Sequence, residues 1–295
     1  MRADVREYEV AVPRDLDDAL AHVAEAPGRW TPLAGGTDLM VVLAAGHLKP
    51  CALLSIWHLD ALRGITVLPD RVVLGALVTY ADVQGHPLLQ AEFPMLVEAA
   101  RLSGALAIQN RGTLAGNVVN ASPAADSPPA LFAYGAQIEL ASTNGRRIVP
   151  YATFHTGYKT TVRAPDELVT AVILPRSGLP RLDVYRKVGT RKAQAIAKVG
   201  LAASVRLQDG VIAEIGLGLS SVAPTPLCAS ATAAVLLGRT PADALADGLA
   251  ALEREIQPID DVRSNARYRR AVAVRLLRDV LEALARGESP APAIA

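Results

Sequence analysis

Two stretches of this sequence bring glycine, hydroxyl, amide and carboxylate groups together at spacings that suit a phosphate-bearing ligand. The first is Ala34-Gly35-Gly36-Thr37-Asp38, set between a short apolar run ending at Leu33 and a second from Leu39 to Leu43. Glycines at a strand-to-helix turn let the backbone approach an anion, and the helix start favours negative charge. Thr37 adds a hydroxyl donor. The same pattern also serves as a plain helix entry capped by Thr37 or Asp38. It lacks the G-x-G-x-x-G spacing of a nicotinamide-binding Rossmann turn. The second stretch runs from Thr113-Leu114-Ala115-Gly116-Asn117 through Ala121-Ser122-Pro123-Ala124-Ala125-Asp126. Its amides and hydroxyls suit phosphate oxygens, and the Asp126 carboxylate suits sugar hydroxyls. On residue types alone it also reads as a surface loop of turn formers.

The elements that must position these groups follow from periodicity. Tyr8 to Val12 alternates as a strand, and Asp15 caps a helix whose Leu16, Ala19, Leu20 and Val23 share one face. With strands at Thr31–Leu33 and Ala52–Ile56, residues 1–58 form a small α/β lobe. A second lobe over 59–178 opens with a hairpin, Ile65–Leu68 against Val72–Ala76 across Pro69-Asp70-Arg71. Helices are expected at 80–85 and 94–102. Ser103 to Pro129 lacks clean periodicity over most of its length and reads as a long functional loop. A hairpin across Thr143-Asn144-Gly145 and a strand from Glu167 to Leu174 close this part, and Pro175 to Pro180 is the linker. Strands at 201–207 and 211–219, then amphipathic helices at 241–256 and 268–286, make an α+β domain over 179–288. The tail, 289–295, should fray.

Composition removes several function classes. The chain has 295 residues, 30 basic and 29 acidic side chains and a net charge of +1, so a nucleic-acid binder's positive excess is missing. No run approaches the ~18 apolar residues of a bilayer span. The first residues lack the apolar stretch of a secretory signal, so a cytoplasmic location is expected. Cys51 and Cys228 are the only cysteines, too few for a disulfide framework or an all-cysteine iron–sulfur cluster. The histidines, His22, His47, His58, His86 and His155, fall at no metal-ligand spacing, and no metal site is expected.

Taken together, the two glycine-containing stretches resemble the FAD-binding medium subunits of the molybdenum hydroxylases, the xanthine, nicotinate and carbon monoxide dehydrogenase types. Ala34 to Leu39 stands where that family reads close to A-G-G-T-D-L. Thr113–Asn117 and Ala121–Asp126 match T-I-G-G-N followed by A-S-P-x-x-D. Phe154–Pro175, Tyr185–Arg191, Asp260–Arg263 and Tyr268–Arg270 extend the likeness, in order, over essentially the whole chain. The resemblance implies a two-lobed PCMH-type FAD-binding domain and a smaller α+β C-terminal domain. Leu33, Ala34, Gly35, Gly36, Thr37 and Asp38 would surround the diphosphate of a noncovalent FAD. Thr113, Leu114, Ala115, Gly116 and Asn117 would form a second wall. Asp126 would accept bonds from cofactor hydroxyls, with Ser122 a further contact. Lys187 matches a lysine near the flavin, the alternative being a solvated strand lysine.

The departures are Ala115 in place of a glycine, no aromatic ring at Leu102–Ala105, and Gln194-Ala195 where some members carry two aspartates. Thr37-Asp38 also differs from the His-Ser of carbon monoxide dehydrogenases, which counts against that substrate. The implied function is electron relay. Electrons would pass from 2Fe–2S clusters on a small partner subunit through FAD to NAD or another acceptor. A large partner subunit with the molybdenum cofactor would oxidise the substrate. A self-contained flavin reductase on a related fold and a flavin-free scaffold are the alternatives.

Overall fold

The computed structural model describes residues 7–49, 51–191 and 194–288; the expected tail at 289–295 lies outside them. The first lobe comprises β1 (Glu9–Ala11), α1 (Leu16–Glu25), β2 (Trp30–Leu33), α2 (Leu39–Ala44) and β3 (Ala52–Ser55). Its sheet has the order β1-β3-β2, all parallel, with Glu9 and Trp30 both in register with Ala52. Asp15 caps α1 by accepting from the Asp18 amide, and Leu16, Ala19, Leu20 and Val23 are its buried face. The Gly35 turn therefore leaves the carboxyl end of a parallel strand, where open α/β sheets bind ligands.

The second lobe begins with β4 (Ile65–Val67), β5 (Arg71–Gly75), α3 (Tyr80–Gly85), α4 (Pro87–Glu92) and α5 (Pro94–Leu102). It continues through α6 (Leu106–Gln109), α7 (Leu114–Asn120), α8 (Ser127–Ala133), β6 (Gln137–Ser142) and β7 (Gly145–Pro150). It ends with β8 (His155–Gly157), β9 (Thr160–Thr161) and β10 (Leu168–Pro175). The antiparallel order is β4-β5-β10-β6-β7. β10 lies at its centre, with 168–174 buried throughout, as an unbroken apolar run requires. The expected loop at 103–129 is corrected: it folds into α6, α7 and α8. α6 is a single turn, and the glycine, asparagine and proline residues of α7 and α8 (Gly116, Asn117, Asn120, Pro128 and Pro129) read as turn formers, which is why the pattern hid them.

The last part holds β11 (Leu182–Val188), β12 (Val199–Gln208), β13 (Val211–Ser220), β14 (Leu227–Cys228), α9 (Ser230–Leu236), α10 (Pro241–Glu255) and α11 (Ala266–Ala285). The sheet follows that strand order. One face carries Leu201, Ala203, Val205 and Leu217 into a core with Leu252, Leu277 and Leu281. The other face is stripped to small residues so that α8 can lie on it. A Cβ on Gly216 would stand 2.0 Å from the Ala133 carbonyl oxygen, and one on Gly218 2.3 Å from that of Pro129. Gly218→Ala should therefore cost about 1–3 kcal/mol of stability through overpacking and lower the urea midpoint. An unchanged midpoint would show that α8 is not seated on the strand. Among the described residues no helix is long and apolar enough to cross a membrane.

Candidate functional site

A cleft of about 1320 Å³ opens where the Gly35 turn, the segment 103–126 and the last part of the chain meet. Gly36 takes a left-handed φ of +74° at the turn. The carbonyls of Gly36 and Asp38 accept from Met40, Val41 and Val42, while the amides of Gly35, Gly36, Thr37 and Asp38 have no acceptor among the described residues. Asp38 makes no side-chain capping bond, and α2 buries none of its residues. A plain helix entry thus leaves these groups without a task.

The first glycine-containing stretch packs closely against Arg111 and Gly112, the two residues just before the second. A Cβ on Gly35 would stand 1.7 Å from the carbonyl oxygen of Arg111, and one on Gly112 3.3 Å from Oγ1 of Thr37. The second stretch is held from behind, by Tyr80 N to the Gly112 carbonyl at 3.1 Å and Leu114 N to the Val78 carbonyl at 3.0 Å. Thr113 caps α7, its Oγ1 accepting from the Gly116 amide at 3.0 Å. A Cβ on Gly116 would lie 2.7 Å from that oxygen, so a side chain there would have to shift the Thr113 hydroxyl. Ala115 sits inside the helix, outside the left-handed residues, so its methyl is accommodated where the family motif has glycine.

Asp126 is the electrostatic centre of this wall. Its Oδ2 accepts from Lys187 Nζ at 2.7 Å, and the Ser103 hydroxyl lies 3.4 Å away. Lys187 also donates to the Leu102 carbonyl at 2.9 Å. Tyr185 donates its hydroxyl to the Asp126 carbonyl at 2.8 Å. Burial pushes the Asp126 carboxyl above the usual carboxylate range, and the Lys187 ammonium pulls against that shift. The buried Oδ1 atoms of Asp126 and Asn117 have no donor among the described residues. Buried acceptors of this kind are normally satisfied. The cleft wall therefore presents amides without acceptors and carbonyl-type oxygens without donors. A ligand with anionic oxygens and hydroxyl or N–H donors answers both, and FAD, with its diphosphate, ribityl chain and ring imide, is such a ligand.

Ala34 to Asp38, Thr113, Ala115, Gly116, Asn117, Ser122 and Asp126 all line the cleft. Three other sequence candidates stand behind its wall. Leu33 ends β2 with its carbonyl bonded to the Ile56 amide. Leu114 turns into the core at 1% exposure. The Lys187 side chain, 6% exposed, reaches Asp126 from the rear, which corrects the alternative of a solvated lysine. Sequence reasoning missed Ser103, Trp30, Arg163 and Ser221 as lining residues. Asp261, Arg263 and Arg269 also line it; their motif stood out in the sequence without a task. Gln194 and Ala195 line the cleft in place of the two aspartates.

Residues 6–177 match the family described as the FAD binding domain in molybdopterin dehydrogenase. Residues 184–284 match the CO dehydrogenase flavoprotein C-terminal domain. The carbon monoxide dehydrogenase medium chain of Hydrogenophaga pseudoflava is 30% identical over 280 residues, covering 94% of this chain and 96% of that one. The glyceraldehyde dehydrogenase medium chain of Sulfolobus acidocaldarius is 31% identical, covering 90% and 94%. A putative xanthine dehydrogenase FAD-binding subunit of Escherichia coli is 32% identical over 72% and 73%. The solved structure of carbon monoxide dehydrogenase from Hydrogenophaga pseudoflava superposes with a TM-score of 0.89, covering 94% of this chain and 96% of that one at 30% identity.

Proposed function

The chain belongs to the FAD-binding flavoproteins of the molybdopterin dehydrogenases, and we propose that it is the electron-relay subunit of such an enzyme. In this reading it holds FAD noncovalently, receives electrons from 2Fe–2S clusters on a small partner subunit, and delivers them to NAD or another acceptor. A large partner subunit bearing the molybdenum cofactor oxidises the substrate. The observation that carries the reading is the pairing, in one cleft wall, of acceptor-less amides at Gly35–Asp38 with donor-less oxygens on Asn117 and Asp126.

The division of labour follows from the residues. The Gly35 to Asp38 amides and the Thr37 hydroxyl would bind the diphosphate. Thr113, Ala115, Gly116 and Asn117 would hold the cofactor from the second stretch, with Ser122 beside them. Asp126 Oδ1 would accept from a cofactor hydroxyl or N–H, and Lys187 holds that carboxylate from behind the cleft wall. When bound, FAD supplies a centre that takes up electrons singly and releases them as a pair. Relatives associated by name with carbon monoxide, glyceraldehyde and xanthine lie within 30–32% identity. Overall likeness therefore does not single out one substrate, as expected where the substrate pocket belongs to another chain.

Acid precipitation should release FAD into the supernatant in equimolar amount with the chain; flavin retained in the pellet would refute noncovalent binding. In the assembled enzyme, stripping FAD should abolish acceptor reduction while substrate still bleaches the iron–sulfur absorbance, and added FAD should restore turnover. Substrate oxidation by the isolated chain, or acceptor reduction by the stripped enzyme, would overturn the relay assignment.

A further inference from the structure

Arg269, in the first turns of α11, is 4% exposed, an uncommon burial for arginine. Its Nη1 donates to the Ser221 carbonyl at 3.0 Å and its Nη2 to Oδ1 of Asp261 at 2.6 Å. Asp261 also accepts the Arg263 and Ser264 amides at 2.8 and 3.2 Å, so the turn before α11 folds around the same carboxylate. Stability is a weak reason for this arrangement, because apolar packing commonly does as well as a buried ion pair.

The other end of the arrangement is Ser221, 2% exposed and held at φ +64°. A serine rarely adopts this left-handed backbone, and such strain persists where the surroundings over-determine it. Its three polar groups reach three different segments. The amide donates to the Pro123 carbonyl at 2.7 Å. The hydroxyl donates to the Ala197 carbonyl at 2.8 Å, and the Ser221 carbonyl accepts from Arg269. Pro123 precedes Asp126 in the cofactor wall, and Ala197 follows the segment that carries Lys187.

We propose that Arg269 is a positioning residue for the cofactor cleft: by clamping Ser221 and Asp261 together it fixes the Ser221 peptide, which holds the Pro123–Asp126 segment at its working distance from the last part of the chain. The inference rests on the reading that FAD occupies the cleft. A lysine in this place has no planar fork with which to grip a carbonyl and a carboxylate at once.

The test compares FAD titrations and urea unfolding of the full chain, stripped of flavin, as wild type, Arg269→Met, Arg269→Lys and the double variant Arg269→Met/Asp261→Asn. Methionine keeps most of the volume, and the second substitution removes the carboxylate that the first leaves unpaired. The double variant should recover most of the unfolding midpoint yet bind FAD about tenfold or more weakly, the size of one lost charged hydrogen bond. Arg269→Lys should not restore affinity. The flavin's visible circular dichroism should change in each variant, because the Asp126 wall shifts against the ring system. A double variant or a lysine variant that binds FAD as tightly as wild type, with an unchanged flavin spectrum, would overturn the positioning role and leave the flavin reading standing. A wild-type chain that takes up no FAD would overturn both.

Discussion

Gly35→Ala should yield a folded chain that no longer retains FAD. The reason is steric and lies in the backbone: the added Cβ would sit 1.7 Å from the Arg111 carbonyl oxygen, whereas real Cβ contacts essentially never fall under 3.0 Å. Neither partner is a flexible side chain, so the Gly35 turn and the backbone at Arg111 must part by more than an ångström. The turn lies at the cleft surface rather than in the core, so far-UV circular dichroism should be preserved while the ratio of flavin to protein absorbance falls to background. Gly36→Ala supplies an internal comparison. Its Cβ meets Leu33 Cδ1 and Met40 Cγ only at 3.4 Å, but its φ of +74° is unfavourable for alanine, at about 1–2 kcal/mol. FAD affinity should therefore weaken measurably without vanishing. Gly64→Ala, with φ +84° and nothing within 4 Å, carries the same backbone penalty away from the cleft and should leave FAD content unchanged. Full FAD retention by Gly35→Ala would mean that the two segments do not form one wall.

The Gly35 turn also shows what the sequence could and could not disclose. That it could serve an anion was legible, because glycines at the end of a parallel strand are a local signal. Its backbone contact with Arg111 was not, since residues 35 and 111 meet only through tertiary packing. Strands were readable where apolar residues alternate or run unbroken, as in the β4–β5 and β6–β7 hairpins and in β10. α6 is a single turn, and α7 was hidden because Gly116, Asn117 and Asn120 read as turn formers. Lys187 illustrates the remaining gap. Family likeness put it near the flavin, yet a strand lysine has two faces to choose from, and only the pairing of β11 with β12 turns it toward Asp126. The Asp261–Arg269 motif was visible as a pattern, but its meaning depends on a serine carbonyl that no side-chain pattern encodes.

Lys187→Met should destabilise the flavin-free chain in a pH-dependent manner, because the substitution leaves Asp126 as an unpaired buried carboxylate. The Asp126 side chain is 14% exposed and that of Lys187 6%, so solvent cannot take over the lysine's role. Loss of one partner from a buried pair typically costs about 3–5 kcal/mol. The sign of the pH dependence follows from the carboxyl itself. Burial already raises it and Lys187 opposes the rise, so removing the lysine raises it further. A carboxyl raised on folding contributes stability that is fully present below its unfolded value and is lost as pH rises through its folded value. The deficit of the variant should therefore be largest at neutral pH and should narrow on acidification toward the unfolded carboxylate range near about 4. Urea midpoints across that interval measure it, and a deficit independent of pH would show that Lys187 acts by packing alone. Asp126→Asn combined with Lys187→Met removes the stranded charge and should recover most of the stability. It should not recover the cofactor site. An amide oxygen accepts more weakly than a carboxylate, so FAD should remain about tenfold more loosely held. Stability and cofactor affinity would then separate in one pair of variants, which is the behaviour expected of a carboxylate kept in place to bind.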